Sequence, residues 1–392
     1  MKKKIICLVA LCWFSFALHA QVAPGDRTQI SLLTCSPSEE AVFTVYGHTA
    51  IRVYDPDSGK DIVFNYGIFD FNSDNFIYRF AKGKTDYKLV ASYFEHFFAE
   101  YSMRGSGIVE QELNLTPAER TRLWNALMVN LRPENAIYRY NFFFDNCATR
   151  PAKIIEDIIE GEIIYGPEPE AQTFRERINY CMRNKPWLIF GCDLALGSPT
   201  DRVMTFRETF FLPLLLEEAF DGATIIAPDG AGRQLTAAKN ILSEEVPMPV
   251  KPTIFTPLFA ALVCLALCLA LTGMEWRRKT YYAAVDYILF TLAGLAGTVL
   301  FFIAFVSEHP AVWPNWQIVW LHPLHLALVA ILAVKGLKKT TYYYHFINFA
   351  TLSLMLAGSQ LIPQHFNAAF FPLIICLWMR SGRSILFRYN KA

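Results

Sequence analysis

The run Tyr140-Asn141-Phe142-Phe143-Phe144-Asp145-Asn146-Cys147-Ala148-Thr149-Arg150 sets one cysteine at the end of an aromatic strand and directly before a helical stretch. Ninety-odd residues earlier lies Gly47-His48-Thr49-Ala50-Ile51-Arg52. A cysteine nucleophile needs a base within hydrogen-bond reach. Between residue 21 and the apolar runs that begin near residue 253, the chain holds only two histidines, His48 and His96. The base is therefore one of these two.

Val42 to Tyr54 and Ile62 to Tyr66 are rich in β-branched and aromatic residues, and Asp55-Pro56-Asp57-Ser58-Gly59-Lys60 between them is a turn signal. This pattern predicts a β-hairpin carrying His48 on its first strand. A hairpin closed symmetrically about Asp57-Ser58 puts Asn65 on the same face as His48, diagonally across the ladder, where it can orient the imidazole. Asp61 is the rival for that role. His96, inside Tyr93-Phe94-Glu95-His96-Phe97-Phe98, belongs to an apolar helical run and reads as packing. Thr116-Pro117-Ala118-Glu119 is a capping box opening a helix to about Leu131. Ala136 to Phe144 reads as a further strand, and Lys153 to Ile159 as an amphipathic helix.

Cys147 then has two means of lowering its thiol pKa, a helix amino terminus and an imidazole. Pro151 moderates the first. Proline is tolerated only in a first turn, so the regular helix starts nearer Thr149. Asp145, Asn146 and Arg150 are the polar groups beside the nucleophile, assigned to the substrate or to an oxyanion. Cys35, Cys181 and Cys192 share the domain with Cys147. A Cys181–Cys192 bridge that leaves Cys147 free is expected, with a fully paired domain as the alternative. Histidines and cysteines show no paired ligand spacing, so neither metal nor cofactor is expected.

The organisation follows from charge and hydropathy. Met1 to Lys4 is basic, Ile5 to Leu18 is apolar, and Leu18-His19-Ala20 ends on a small residue, so residues 1–20 read as a secretory signal. Residues 21–250 carry 22 basic against 32 acidic side chains, and residues 251–392 carry 11 against 3. An acidic exported half excludes nucleic acid as a partner. Apolar runs at about 253–273, 283–306, 316–334, 345–363 and 366–379 predict five membrane spans. Basic residues follow the first (Arg277, Arg278, Lys279), the third (Lys335, Lys338, Lys339) and the fifth (Arg380, Arg383, Arg388, Lys391), which places the soluble half outside the cytoplasm. The expected domains are a periplasmic α+β unit over 21–245, a proline-rich linker over 246–252 and a membrane domain over 253–392. Glu308, His309, Trp313, Pro314, Asn315 and Trp316 fall at the outer membrane face, with Trp313 and Trp316 as interfacial anchors. His322 and His325 lie deeper and are read as lining a lipid or acceptor path.

The order of His48 on a hairpin strand, then Asn146-Cys147 opening a helix, resembles the circularly permuted NlpC/papain-like thiol hydrolases and acyltransferases. Gly47 to Arg52, Phe64-Asn65-Tyr66-Gly67, Phe144 to Arg150 and the multi-span tail together resemble the Lnb-type lipoprotein N-acyltransferases. That resemblance implies a periplasmic catalytic domain joined to an inner-membrane domain, with Cys147, His48 and Asn65 as catalytic residues. It implies transfer of an acyl chain from a phospholipid donor to the amino-terminal cysteine of a diacylglyceryl-modified lipoprotein. Two other classes use the same features: a cysteine peptidase or amidase acting on cell-wall peptide, with water as acceptor, and a non-catalytic membrane receptor that binds lipid.

Overall fold

A computed structural model describes residues 25–69, 74–167, 170–247, 253–334 and 336–389. The secretory signal assigned to residues 1–20 and most of the linker lie outside the described residues. Among the described residues ten strands occur in chain order: β1 Gln29–Cys35, β2 His48–Asp55, β3 Lys60–Ile68, β4 Asp86–Tyr93, β5 Ile108–Leu113, β6 Ile137–Arg139, β7 Glu162–Ile164, β8 Thr224–Ile226, β9 Gly232–Gln234 and β10 Thr236–Ser243. Seven form an antiparallel sheet in the order β10-β5-β1-β2-β3-β4-β6, and β7-β8-β9 form a small second sheet. Alternation decides what each face of the large sheet covers. Ile30, Leu32, Ile51, Val53 and Phe64 bury one face against the helices Pro117–Asn130, Thr149–Ile158 and Pro213–Asp221. Leu33, Ala50 and Val63 bury the other against the helix Phe94–Met103, through Phe97 and Tyr101. The amino-terminal unit is thus α+β, a sheet between helical layers.

Local chemistry sets the boundaries. The capping box forms, with Thr116 N–H donating to Glu119 and Glu119 N–H donating to Thr116 Oγ1 at 2.8 and 3.3 Å. The β2–β3 hairpin pairs Asp55 with Lys60 through Ile51 with Phe64, the symmetry expected of its turn. Its first strand is shorter than Val42–Tyr54. Phe43–Tyr46 is a 3-10 turn, because the Thr44 hydroxyl folds back onto the carbonyls of Ser38 and Ala41 at 2.9 Å each. Gly47 joins that turn to the strand at φ 79°, with the Cys35 carbonyl where a Cβ would meet it at 2.7 Å. The Ala136–Phe144 strand is likewise cut to β6. The chain leaves the sheet at Tyr140, and Asn141 and Asp145 exchange backbone bonds of 3.0 and 2.9 Å around a tight turn.

All seven described cysteines are free thiols, so the expected Cys181–Cys192 bridge is not formed. Both sit as small apolar residues in a cluster with Phe143, Phe174, Ile178, Met182 and Phe211, where Cys192 Sγ faces Met182 Sδ at 3.8 Å.

The carboxyl-terminal half holds helices Pro257–Arg278, Ala283–Phe305, Leu324–Ala333, Lys338–Ala357 and Phe370–Tyr389. Among the described residues, four segments are long and apolar enough to cross a membrane: Pro257–Arg278, Ala283–Phe305, Trp316–Ala333 and Phe370–Phe387. Lys338–Ala357 falls short because it carries two lysines, three consecutive tyrosines, His345 and Asn348, and it starts seven residues before the expected 345–363 run. Its Asn348 donates to Ser381 Oγ of the last helix at 2.9 Å. That last helix extends well past residue 379, which corrects the reading of the tail. Arg380 and Arg383 are buried in it. Arg380 bonds Asp286 at 2.6 Å and Glu275 at 2.8 and 3.0 Å, so neither arginine is a free tail charge.

The two halves meet at the apolar helix Pro186–Ala195. Trp187 donates to the Phe255 carbonyl at 2.8 Å, Phe190 packs on Phe370 with ring centroids 5.1 Å apart, and Asn315 donates to Leu194 O at 2.9 Å.

Candidate active site

The hairpin and the strand-turn-helix segment converge at Gly67. Continued by three pairs, the β2–β3 register sets Gly67 opposite His48, and the missing side chain leaves room there. A Cβ on Gly67 would lie 3.5 Å from Cys147 Cβ, 3.7 Å from the Tyr140 ring and 4.0 Å from His48 Cε1. The residues singled out as nucleophile and base therefore lie side by side around one point. Asn65 Oδ1 is 2.6 Å from His48 Nε2. With the amide oxygen toward the ring, Nε2–H donates and Nδ1 is the nitrogen left to take a proton. On its other side the imidazole stacks on Tyr101, with centroids 5.4 Å apart and planes within 14°.

The remaining sequence candidates separate by geometry. Asp61 is spent on Arg52 in a two-bond pair of 2.8 and 2.6 Å, which leaves Asn65 as the group on the imidazole. His96 is exposed on its helix, edge-on to Tyr93 and away from the site. Asn146 is buried and fully used. Its Nδ2 donates to Phe142 O and Phe211 O at 2.8 Å each, and its Oδ1 accepts from the N–H groups of Ala148 and Thr149 at 2.8 and 2.9 Å. Asp145 and Arg150 pair with each other at 2.5 and 2.8 Å, and the guanidinium lies 3.6 Å over the Tyr138 ring. These bonds hold the turn in shape. His325 is satisfied by Trp320 O at 3.0 Å and the Tyr344 hydroxyl at 2.7 Å, and neither it nor His322 lines the cavity described below.

Burial sets the resting charge. It raises the Cys147 thiol to about 11 against the opposing pull of the Thr49 and Cys147 N–H groups and the Tyr140 hydroxyl. It lowers His48 to about 4, even though the bond to Asn65 favours the imidazolium. The regular helix starts at Thr149, so the expected lowering of the thiol pKa by the helix terminus does not prevail. At neutral pH the pair rests as thiol and neutral imidazole, a base able to accept the proton that the sulfur gives up on attack.

Tyr140 was legible only as part of an aromatic run; no periodicity marks its hydroxyl as a neighbour of the sulfur. Together with the Cys147 and Thr49 N–H groups it makes three donors at the place where a charge on sulfur, or on an oxygen bound beside it, would develop.

His48 and Cys147 open into a cavity of about 800 Å³. Phe142, Phe211, Phe69 and Phe80 of the amino-terminal unit line it, and so do Val299, Phe302 and Ile303 of the apolar helix Ala283–Phe305, with His309 and Pro310 at the connection that follows. Tail-sized apolar space thus adjoins a thiol-imidazole pair, with one wall from each half of the chain.

Family models match both halves: one described as the Lnb N-terminal periplasmic domain over residues 18–179, and one described as the Lnb transmembrane domain over residues 250–392. No match was found among curated proteins or among solved structures.

Proposed function

The chain belongs to the Lnb family in both its halves, and on that footing we propose that it is a lipoprotein N-acyltransferase of the inner membrane. It is a membrane protein with a periplasmic domain. The observation that carries the reaction is the shared cavity: a nucleophile and base in one wall, and side chains of a membrane-spanning helix in another.

In the first half-reaction the Cys147 sulfur attacks an ester carbonyl of a phospholipid while His48 Nδ1 takes the thiol proton. The carbonyl oxygen becomes an oxyanion held by the Tyr140 hydroxyl and backbone N–H groups. Collapse breaks the ester C–O bond, the imidazolium protonates the departing lysophospholipid oxygen, and the acyl group stays on Cys147 as a thioester. In the second, the neutral α-amino group of a diacylglyceryl-cysteine attacks that thioester, loses a proton to His48, and forms an amide. Cys147 leaves as thiolate and regains its proton from the imidazolium. Asn65 keeps the ring in the tautomer both halves use. Splitting the transfer in two is what a covalent nucleophile contributes, and holding both lipid substrates in one bilayer raises their effective concentration.

The test is intact-mass analysis of the full-length protein incubated with phospholipid vesicles. A hydroxylamine-sensitive acyl adduct is expected on Cys147, absent from Cys147→Ala, and discharged by a peptide bearing an amino-terminal diacylglyceryl-cysteine. Absence of any adduct, together with release of peptide fragments from cell wall, would assign the dyad to a hydrolase instead.

A further inference from the structure

One end of the cavity is polar, and the reaction as described leaves it unused. Ser36, Ser38, Glu100, Arg104 and Ser106 line it. Ser38 is 2% exposed and its Oγ has no partner among the described residues. A buried hydroxyl left unpaired is costly and marks a place for a ligand atom. Arg104 is held by Glu40 at 2.8 Å through Nε and by Glu100 at 2.5 Å through one terminal nitrogen, and its other terminal nitrogen, Nη1, bonds nothing among the described residues. The guanidinium lies 5.0 Å from the Tyr101 ring, which also stacks on the His48 imidazole. One aromatic ring therefore separates this corner from the base. In a glycerophospholipid the phosphodiester stands a similarly short way, a few bonds, from the ester carbonyls.

We propose that Arg104 and Ser38 form the head-group subsite of the acyl donor, taking the phosphodiester of a zwitterionic phospholipid. The inference rests on the acyltransferase reading above. A guanidinium and a hydroxyl suit a phosphodiester oxygen. Two carboxylates against one guanidinium leave the corner net negative, which disfavours a bare anion and suits a head group whose ammonium reaches Glu100, 47% exposed in the cavity wall, with Glu40 behind Arg104 57% exposed. An acceptor lipoprotein, whose diacylglyceryl group carries no phosphate, makes no use of such a corner.

The experiment compares initial rates of Cys147 acylation in the full-length protein for three donors with the same chains: phosphatidylethanolamine, phosphatidylglycerol and diacylglycerol. The wild type is expected to use them in that order. Arg104→Gln is expected to lower the ratio of phospholipid to diacylglycerol rate by about tenfold, and Ser38→Ala by several-fold, as loss of a charge-assisted and of a neutral hydrogen bond would. A general structural defect slows all three donors together and leaves the ratio where it was. The subsite is overturned if both variants keep the wild-type ratio, or if the wild type prefers the anionic lipid or the headless one. A wild type that forms no adduct from any donor sinks the acyltransferase reading itself, a result distinguishable from failure of the subsite.

Discussion

At the scale of single residues the site depends on how one imidazole is held. Asn65 fixes Nε2 at 2.6 Å and Tyr101 stacks on the ring, so Nδ1 has little freedom. Asn65→Ala is expected to lower the acylation rate about a hundredfold by releasing the tautomer, while costing only about 1 kcal/mol of stability for one lost hydrogen bond. A rate within a factor of two of wild type would show that the ring needs no such support. The resting protonation states can be read independently. With the thiol raised to about 11 and the imidazole lowered to about 4, little thiolate exists at neutral pH, and its fraction grows about tenfold per pH unit up to that value. Alkylation of Cys147 by iodoacetamide in the lipid-free protein is therefore expected to be slow at pH 7 and to climb steadily on the alkaline side. A fast rate already flat from pH 5 would mean a preformed thiolate-imidazolium pair.

The element that presents the sulfur is a helix start fixed by Asn146, whose side chain caps the Ala148 and Thr149 N–H groups and ties the turn to Phe142 and Phe211. Asn146→Ala strands two buried carbonyls as well as the cap. Thermal unfolding should show a loss of about 2–4 kcal/mol, with Asn146→Asp, which keeps the capping oxygen, in between. If Asn146→Ala instead keeps its melting temperature and loses only activity, the residue serves the oxyanion, as its position next to Cys147 in the sequence suggests. How much was legible follows the same division. The hairpin register, the Thr116 capping box and the helix after Cys147 are local, written in turn residues and spacing, and the sequence reading located all three. Asn146 meets the Phe211 carbonyl across 65 positions, and Tyr140 meets a sulfur through a turn that ends a strand early. Contacts of that range leave no trace in periodicity. The Cys181–Cys192 expectation failed for a related reason: redox compartment says that thiols can pair, whereas only packing shows these two half-buried and packed against an aromatic cluster.

For the whole molecule the decisive fact is that the periplasmic unit sits directly on the membrane half. Gly83, at φ 74°, lets the chain pass so close that a Cβ there would meet the His309 nitrogen at 2.6 Å. Glu308 N–H donates to Lys82 O at 2.8 Å, and the Glu308 carboxylate faces Lys84 and Arg139 at 3.3 Å each. Exposed pairs of this kind contribute little individually. Their effect is positional, setting the end of the helix Ala283–Phe305 against the cavity, so that apolar space and sulfur adjoin where neither half alone would enclose them. Ile303 lies in that wall and is not among the imidazole's partners. Ile303→Trp adds bulk to the space without touching Cys147, His48 or Asn65. If acyl chains occupy that space, the adducts formed from a mixed-chain phospholipid pool should shift toward shorter chains while total acylation of a short-chain donor stays near wild type. An unchanged chain-length distribution, read by mass spectrometry of the Cys147 peptide, would place the tails elsewhere and remove the membrane helix from the substrate site.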